Sequence, residues 1–253
     1  MRDSGPMPSP FDDLLTDLTR EYDRIGAMLD GLGPEQWHLP SAAPGWSVAD
    51  TVLHLALTEE GVPATLSRSG DSEWTRRDRP LDDVLEDQIR SFDVTPKEIL
   101  GRWQAARRAS VEALSNADPT QLYRWAAAPL RPRTLATTRL AEHWAHALDI
   151  AEPLGLPYED DDRLRHVAWL GHATVPYAMR LQGLEPVEVH CTLTMPSGAT
   201  FTLGPGNAPN TIIGSLGAFC RVGARRLPAG ESGLVTAGPA AEVALLHLRN
   251  YAV

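Results

Sequence analysis

The chain has 253 residues, of which 43% are hydrophobic and 22% charged, and this balance excludes a disordered or collagen-like chain. Its 33 acidic residues outnumber 23 basic ones, giving a formal net charge of −10 that argues against a nucleic-acid partner. No uncharged apolar run approaches the roughly 18 residues of a membrane span, and Met1–Pro10 lacks the apolar segment of a signal peptide. We therefore expect a cytoplasmic protein with no nucleic-acid or membrane partner.

The first two-thirds of the chain is predicted to be helical. Apolar residues recur with a period of about 3.6 over residues 10–32, which predicts one amphipathic helix. Ser47 and Asp50 have the spacing of a capping box, so a second helix is predicted to begin there. Thr95 and Glu98 repeat this pattern and predict a further helix start.

The remaining segments have weaker or shorter patterns. Residues 68–80 are polar and predict a loop, and a helical region is predicted from Leu81 onward. Further helices are predicted over residues 134–150 and 163–181.

Near Glu185 the apolar period changes from that of a helix to that of a strand. Alternating apolar residues on both sides of a Pro-Ser-Gly turn predict a β-hairpin over residues 187–203. Residues 211–225 are predicted as a helix, and residues 233–236 as a strand that leads into a last helix over 240–248. The order predicts an α+β protein, with a helical bundle first and a small α+β unit after it.

One predicted helix carries several residues of types that bind divalent metals. Glu142 and His146 are four residues apart, so their side chains project from one helix face. His143 and His146 form a second candidate pair at a spacing of three. Asp149 lies about one turn after His146 and could orient its imidazole ring by a hydrogen bond.

A metal site on this helix needs a third ligand from elsewhere. His54 is a candidate because it lies among apolar residues of the helix that begins at Ser47. Each residue also has an ordinary structural interpretation: His54 as a buried core histidine, and Glu142 with His146 as a surface pair. The two cysteines, Cys191 and Cys220, are predicted to be reduced and packed. Phosphate-binding and nucleophile-elbow motifs are absent from the sequence.

Three segments together have a recognisable pattern of residues. They are Pro44-Gly45-Trp46-Ser47-Val48-Ala49-Asp50 with Val52, His54 and Leu55; Arg139 to Asp149 with Ile150; and Asp162 to Ala168. The first resembles the start of the second helix in the mycothiol-dependent maleylpyruvate isomerase family, and the second resembles that family's second ligand helix. The resemblance covers nearly the whole chain and is closest to an actinobacterial branch. All but one of the 23 basic residues are arginine, which is typical of a high-GC genome.

The resemblance implies a DinB-like four-helix bundle over residues 1–182, followed by a small sterol-carrier-like α+β domain over 183–253. It also implies a divalent metal held by His54, Glu142 and His146. Zinc is the expected metal, with Fe²⁺, Mn²⁺ and Ni²⁺ as alternatives.

The resemblance further implies mycothiol, or a similar small thiol, as co-substrate. A metal with open positions lowers the pKa of a bound thiol and thereby supplies a thiolate at neutral pH. The family also uses an arginine from the C-terminal domain, for which Arg225 and Arg226 are the candidates here. With Asp149, these are the residues we expect to take part in catalysis.

Three functions are consistent with these patterns. The first is a metal-dependent enzyme that uses a small thiol as a transferase or a cis–trans isomerase. The second is a thiol-independent metalloenzyme, such as an isomerase, a cyclase or a non-haem iron enzyme. The third is a non-catalytic module that binds a metal and a lipid, for which we expect a fourth protein ligand such as His143 or Asp149.

Overall fold

The computed structural model describes residues 9–67, 81–125 and 128–251. These residues form two compact units, which meet in the sequence between Tyr158 and Glu159. The loop predicted over residues 68–80 lies outside the described residues.

The first unit is a bundle of four long helices with smaller elements attached. The helices are α1 (Pro10–Asp30), α2 (Val48–Leu66), α4 (Pro96–Asn116) and α5 (Pro132–Ala151), with the shorter α3 (Leu81–Ser91) beside α2. A 3₁₀ turn (Pro34–His38) follows α1, and an antiparallel pair, β1 (Tyr123–Trp125) and β2 (Ala128–Leu130), connects α4 to α5. This bundle confirms the helical fold predicted for the N-terminal part, although the short β1–β2 pair was not predicted.

The predicted capping boxes are present at the starts of α2 and α4. At α2 the Ser47 hydroxyl accepts a hydrogen bond from the backbone N–H of Asp50, whose carboxylate accepts one from the N–H of Ser47. Thr95 and Glu98 make the same reciprocal bonds at α4. These bonds satisfy N–H groups that the first helical turn leaves unpaired, and they fix where each helix begins.

The core of the bundle is mainly apolar and also contains buried polar and charged side chains. Trp103, Trp144 and several leucines are fully buried, as expected for helices with one apolar face. Glu59, Arg139 and His143 are equally inaccessible, with exposed fractions of 0%, 3% and 0%. Charged residues are rarely buried to this extent unless they are paired.

The second unit contains a four-stranded sheet and short helices. Its elements are α6 (Leu164–Ala173), α7 (Val175–Arg180), β3 (Val189–Thr194), β4 (Thr200–Leu203), β5 (Asn210–Ser215), α8 (Leu216–Gly223), β6 (Val235–Ala237) and α9 (Ala241–Leu246). The strand order is β4-β3-β5-β6, with β3 parallel to β5 and the other pairs antiparallel. The predicted hairpin is confirmed as β3 and β4. We predicted a domain boundary after residue 182, whereas α6 and α7 belong to the second unit because α6 packs against α8 and β4.

Two predicted helices are wrong in part. Residues 210–215 form the strand β5, and the helix begins only at Leu216. The β-branched run Thr211-Ile212-Ile213 favours a strand, and a run this short shows no decisive period. The single helix predicted over 163–181 is two helices, because Pro176 has no N–H to continue the α6 ladder and instead occupies the first turn of α7.

Among the helices in the described part of the chain, none is both long enough and apolar enough to cross a membrane.

Candidate metal centre

The three residues predicted as metal ligands lie together in the first unit. His54 comes from α2, and Glu142 and His146 come from α5. Oε1 of Glu142 lies 2.8 Å from Nε2 of His54 and 3.4 Å from Nε2 of His146. One donor atom from each residue lies within 4.8 Å of the other two. Two imidazole nitrogens and one carboxylate oxygen at this spacing could hold a divalent metal ion.

The connection before α2 is joined to the end of α5. The backbone N–H of Ala42 donates to the carbonyl of Asp149 at 2.8 Å. The N–H of Val48, in the first turn of α2, donates to the carbonyl of Leu39 at 3.0 Å. These bonds fix the start of α2 against the segment of α5 that carries His146.

The imidazole of His146 is oriented by Asp149. Nδ1 of His146 donates a hydrogen bond to Oδ2 of Asp149 at 2.9 Å, and the Asp149 side chain is only 3% exposed. With Nδ1 bonded to Asp149, Nε2 is the ring nitrogen that faces Glu142 and would be the one to bind a metal. The predicted orienting role of Asp149 therefore has the hydrogen bond that it requires.

The imidazole of His54 is positioned by packing. Trp46 covers one side of the donor set, with its ring centroid 4.9 Å from that of His54 and 6.1 Å from that of His146. Nδ1 of His54 is buried without a hydrogen-bond partner among the described residues. Trp46 belongs to the segment that carried the family resemblance, but its contact with both histidines could not be predicted from that segment.

The electrostatics of the site favour a positive charge between its carboxylates. Burial would raise the pKa of Glu142, but hydrogen bonds from His146 and His54 hold this pKa well below its usual range. Burial lowers the pKa of His146, yet the bonds to Asp149 and Glu142 outweigh it and raise this pKa to about 9. The pKa of His54 is lowered, chiefly by burial. A divalent cation held by the donor set would be attracted by the same carboxylate of Glu142.

His143 lies outside the donor set, although it shares a helix with Glu142 and His146. Its Nδ1 donates to the carbonyl of Arg139 at 2.9 Å, and its Nε2 accepts a hydrogen bond from the indole N–H of Trp103 at 3.1 Å. Both ring nitrogens are therefore occupied inside the bundle core, and neither is free for a metal. Burial lowers the pKa of His143 to about 4, so the ring is neutral near pH 7.

The two candidate arginines belong to the second unit. Arg225 follows α8 in a left-handed backbone conformation, with φ of 62°, and its Nη1 donates to the carbonyl of Leu246 at 3.0 Å. Arg226 donates to the carbonyl of Ala224. The catalytic role of either arginine stays a prediction.

Comparison with known proteins shows which family the chain is similar to. The sequence profile of the mycothiol maleylpyruvate isomerase N-terminal domain matches residues 18–151, just over half of the chain. An uncharacterised protein of Mycobacterium tuberculosis, from strains CDC 1551 and H37Rv, is 33% identical over 219 residues, which cover 84% of each chain. This relative comes from an actinobacterial genus.

Solved structures share the fold. A crystal structure of the mycothiol-dependent maleylpyruvate isomerase superposes with a TM-score of 0.64, and that of a mutant of this isomerase with 0.62. Each superposition covers 90% of this chain and 92% of the isomerase chain, with 17% sequence identity. This establishes that the folds are alike. From the match of its sequence profile and its relatives, this chain belongs to the mycothiol maleylpyruvate isomerase N-terminal domain family.

Proposed function

We propose that this protein is a divalent-metal-dependent enzyme that activates mycothiol, or a similar small thiol, for cis–trans isomerisation of a small electrophilic metabolite or for S-transfer to it. The observation that carries the proposal is the convergence of His54, Glu142 and His146 on one point. Membership of the family supports the thiol, since the solved structures of similar fold are of a mycothiol-dependent isomerase.

The donor set leaves room for a further ligand. Within the described residues, the group of candidate donors at this site contains three members and no fourth. His143 is bonded to Trp103 and Arg139, and the carboxylate of Asp149 bonds the outer nitrogen of His146. Three protein ligands with an open position are typical of catalytic metal sites, whereas a closed set of four is typical of structural ones. This favours an enzyme over a non-catalytic module.

The chain's own cysteines do not offer an alternative nucleophile. Cys191 and Cys220 are both free and fully buried. Burial raises the pKa of Cys191 to about 12 and that of Cys220 well above its usual value. Since the thiolate is the reactive form, neither side chain supplies one at neutral pH. A thiol mechanism in this protein therefore needs an external thiol.

The site residues have separate tasks in this proposal. A divalent metal held there would lower the pKa of a bound thiol and so supply the thiolate. Asp149 keeps the Nδ1 proton on His146, Glu142 contributes the anionic donor, and Trp46 limits the approach of water from one side.

The isomerisation balances without an oxidant or a reductant. The thiolate sulfur forms a bond to one carbon of the substrate's double bond, and the π electrons move into the adjacent carbonyl. Rotation about the resulting single bond follows. The electrons then return to re-form the double bond and expel the same thiolate.

The test begins with protein stripped of metal and reloaded with Co²⁺, whose spectrum reports its ligands. We expect mycothiol to produce a sulfur-to-cobalt charge-transfer band in the wild type and no such band in His146→Ala. An analogue of mycothiol with a hydroxyl in place of the thiol is the matched control. Maleylpyruvate and mycothiol are then added to the zinc-loaded protein, and loss of maleylpyruvate is followed.

Each outcome discriminates between functions. A cobalt site that binds no thiol would overturn thiol activation and leave the thiol-independent metalloenzyme. A wild type that binds no metal would overturn both.

A further inference from the structure

A buried ion pair connects the two helices that carry the candidate ligands. Nε of Arg139, on α5, donates to Oε1 of Glu59, on α2, at 2.6 Å. Nη2 of Arg139 donates to the hydroxyl of Thr58 at 2.8 Å. The side chains of Glu59 and Arg139 are 0% and 4% exposed. One guanidinium therefore engages two successive residues of α2 inside the core.

This ion pair lies about one helical turn from the donor set on both helices. Thr58 is four residues after His54, so both project from the same side of α2. On α5, Arg139 is three residues before Glu142 and seven before His146, again on one side. The pair therefore connects α2 to α5 at about 5 to 8 Å along the helix axes from Glu142 and His54.

The same cluster is attached to a third helix. His143 donates to the carbonyl of Arg139 and accepts from Trp103 on α4. Burial acts to raise the pKa of Glu59, but the charge of Arg139 outweighs it and lowers this pKa, so the carboxylate is ionised near pH 7. With Arg139 charged and His143 neutral, the cluster has no net charge. Because this cluster is neutral as a whole, it does not neutralise the carboxylate of Glu142, which can attract a cation.

Stability alone does not account for such a pair. Well-packed apolar residues of similar volume often stabilise a core as well as a buried ion pair does, because two charges must be desolvated. The pair instead adds geometric specificity. Because both hydrogen bonds come from one planar guanidinium, they can form together at only one rotation and one axial position of α5 against α2.

We propose that Glu59 and Arg139 are positioning residues that set the spacing of His54 from Glu142 and His146, and thereby the affinity and geometry of the metal site. This inference rests on the proposed metal site. Groups that orient metal ligands from outside the coordination sphere typically change metal affinity by about 10- to 100-fold when they are mutated.

The test compares two ion pairs of α2 that differ in burial and in the helix they reach. The double variant Glu59→Gln/Arg139→Met replaces the buried pair with neutral groups, so no single charge is left unpaired in the core. The matched control is Glu60→Gln/Arg102→Met. Arg102 on α4 makes bonds of 2.6 and 2.8 Å to Glu60, one residue further along α2, and this pair is partly exposed.

The readouts are Co²⁺ affinity, by competition with a chelator, and the visible d–d spectrum of the bound Co²⁺. We expect the buried-pair variant to bind Co²⁺ at least about tenfold more weakly, with altered d–d bands. The control should stay within twofold of the wild type with an unchanged spectrum. Equal affinities and spectra in the two double variants would overturn the inference.

A milder variant keeps the inference testable if the double variant does not fold. Thr58→Val removes the hydrogen bond from Nη2 of Arg139, together with the bond that the hydroxyl donates to the carbonyl of Leu55 within α2, and preserves the shape of the side chain. It should weaken Co²⁺ binding several-fold while leaving the circular dichroism unchanged, and unchanged binding would overturn the inference. A wild type that binds no Co²⁺ would instead overturn the proposed metal site, together with the inference that depends on it.

Discussion

His146 is engaged at both ring nitrogens, by Glu142 on one side and Asp149 on the other. If His146 is a ligand, the charge of Asp149 makes its imidazole a stronger donor. We therefore expect Asp149→Asn, which keeps the shape but removes the charge, to weaken zinc binding about tenfold. Competition with a chelating dye on the purified variant measures the change.

Asp118→Asn provides the control for this change. The carboxylate of Asp118 accepts hydrogen bonds from the N–H and the hydroxyl of Thr120 within its own turn. It contributes nothing to the donor set, so its loss should leave zinc affinity unaltered. Equal zinc affinity in the two variants would show that Asp149 does not act through His146.

The residues of α5 show what local sequence predicts and what it does not. The spacing of Glu142 and His146 places them on one helix face wherever the helix packs, so their pairing was predictable. The side chain of His143 projects from α5 at a small angle to that of His146. Its role nevertheless depends on Trp103, which lies 40 residues earlier in the chain. No sequence pattern predicted the buried ion pair of Glu59, because a single acidic residue in a helix gives no indication of its partner. Such long-range contacts are decided by packing.

At the scale of elements, the start of α2 matters because His54 lies in its second turn. Ser47→Ala removes the hydroxyl that accepts from the N–H of Asp50, and a lost N-cap typically costs about 1 kcal/mol of the free energy of unfolding. We expect this cost, together with a several-fold loss of metal affinity, since a frayed first turn loosens the segment that carries His54. Urea denaturation and Co²⁺ titration measure the two effects.

Thr95→Ala is the matched change at α4, which has the same capping box but carries none of the candidate ligands. It should also cost about 1 kcal/mol of stability while leaving metal affinity as in the wild type. If both variants bound Co²⁺ equally well, the start of α2 would not be coupled to the site.

Elements with strong local signals were predicted well, and those defined by their neighbours were not. The starts of α2 and α4 follow from capping boxes, whose hydrogen bonds involve residues only three apart. The strand β5 is different because it pairs with β3 on one side and β6 on the other. Its residues do not alternate between apolar and polar as those of β3 do, so its pairing partners rather than a local period identify it as a strand.

At the scale of the whole molecule, the three candidate ligands all belong to the first unit, which has its own core. A ligand that binds only the folded state stabilises it by about 2.7 kcal/mol at 100 times its dissociation constant. We therefore expect saturating zinc to slow hydrogen exchange about 100-fold at amides of α2 and α5 that exchange through unfolding of this unit. Mass spectrometry of peptides from the exchanged protein locates the effect.

Two comparisons make this measurement decisive. In His146→Ala, zinc should leave the exchange of α2 and α5 unchanged, because a ligand is missing. In the wild type, peptides from β3 and β5 provide the reference for the second unit. Slowing confined to the first unit is the expected result. Equal slowing at β3 and β5 would mean that both units unfold in one cooperative step, whereas no slowing anywhere in the wild type would contradict the assignment of His54, Glu142 and His146 as ligands.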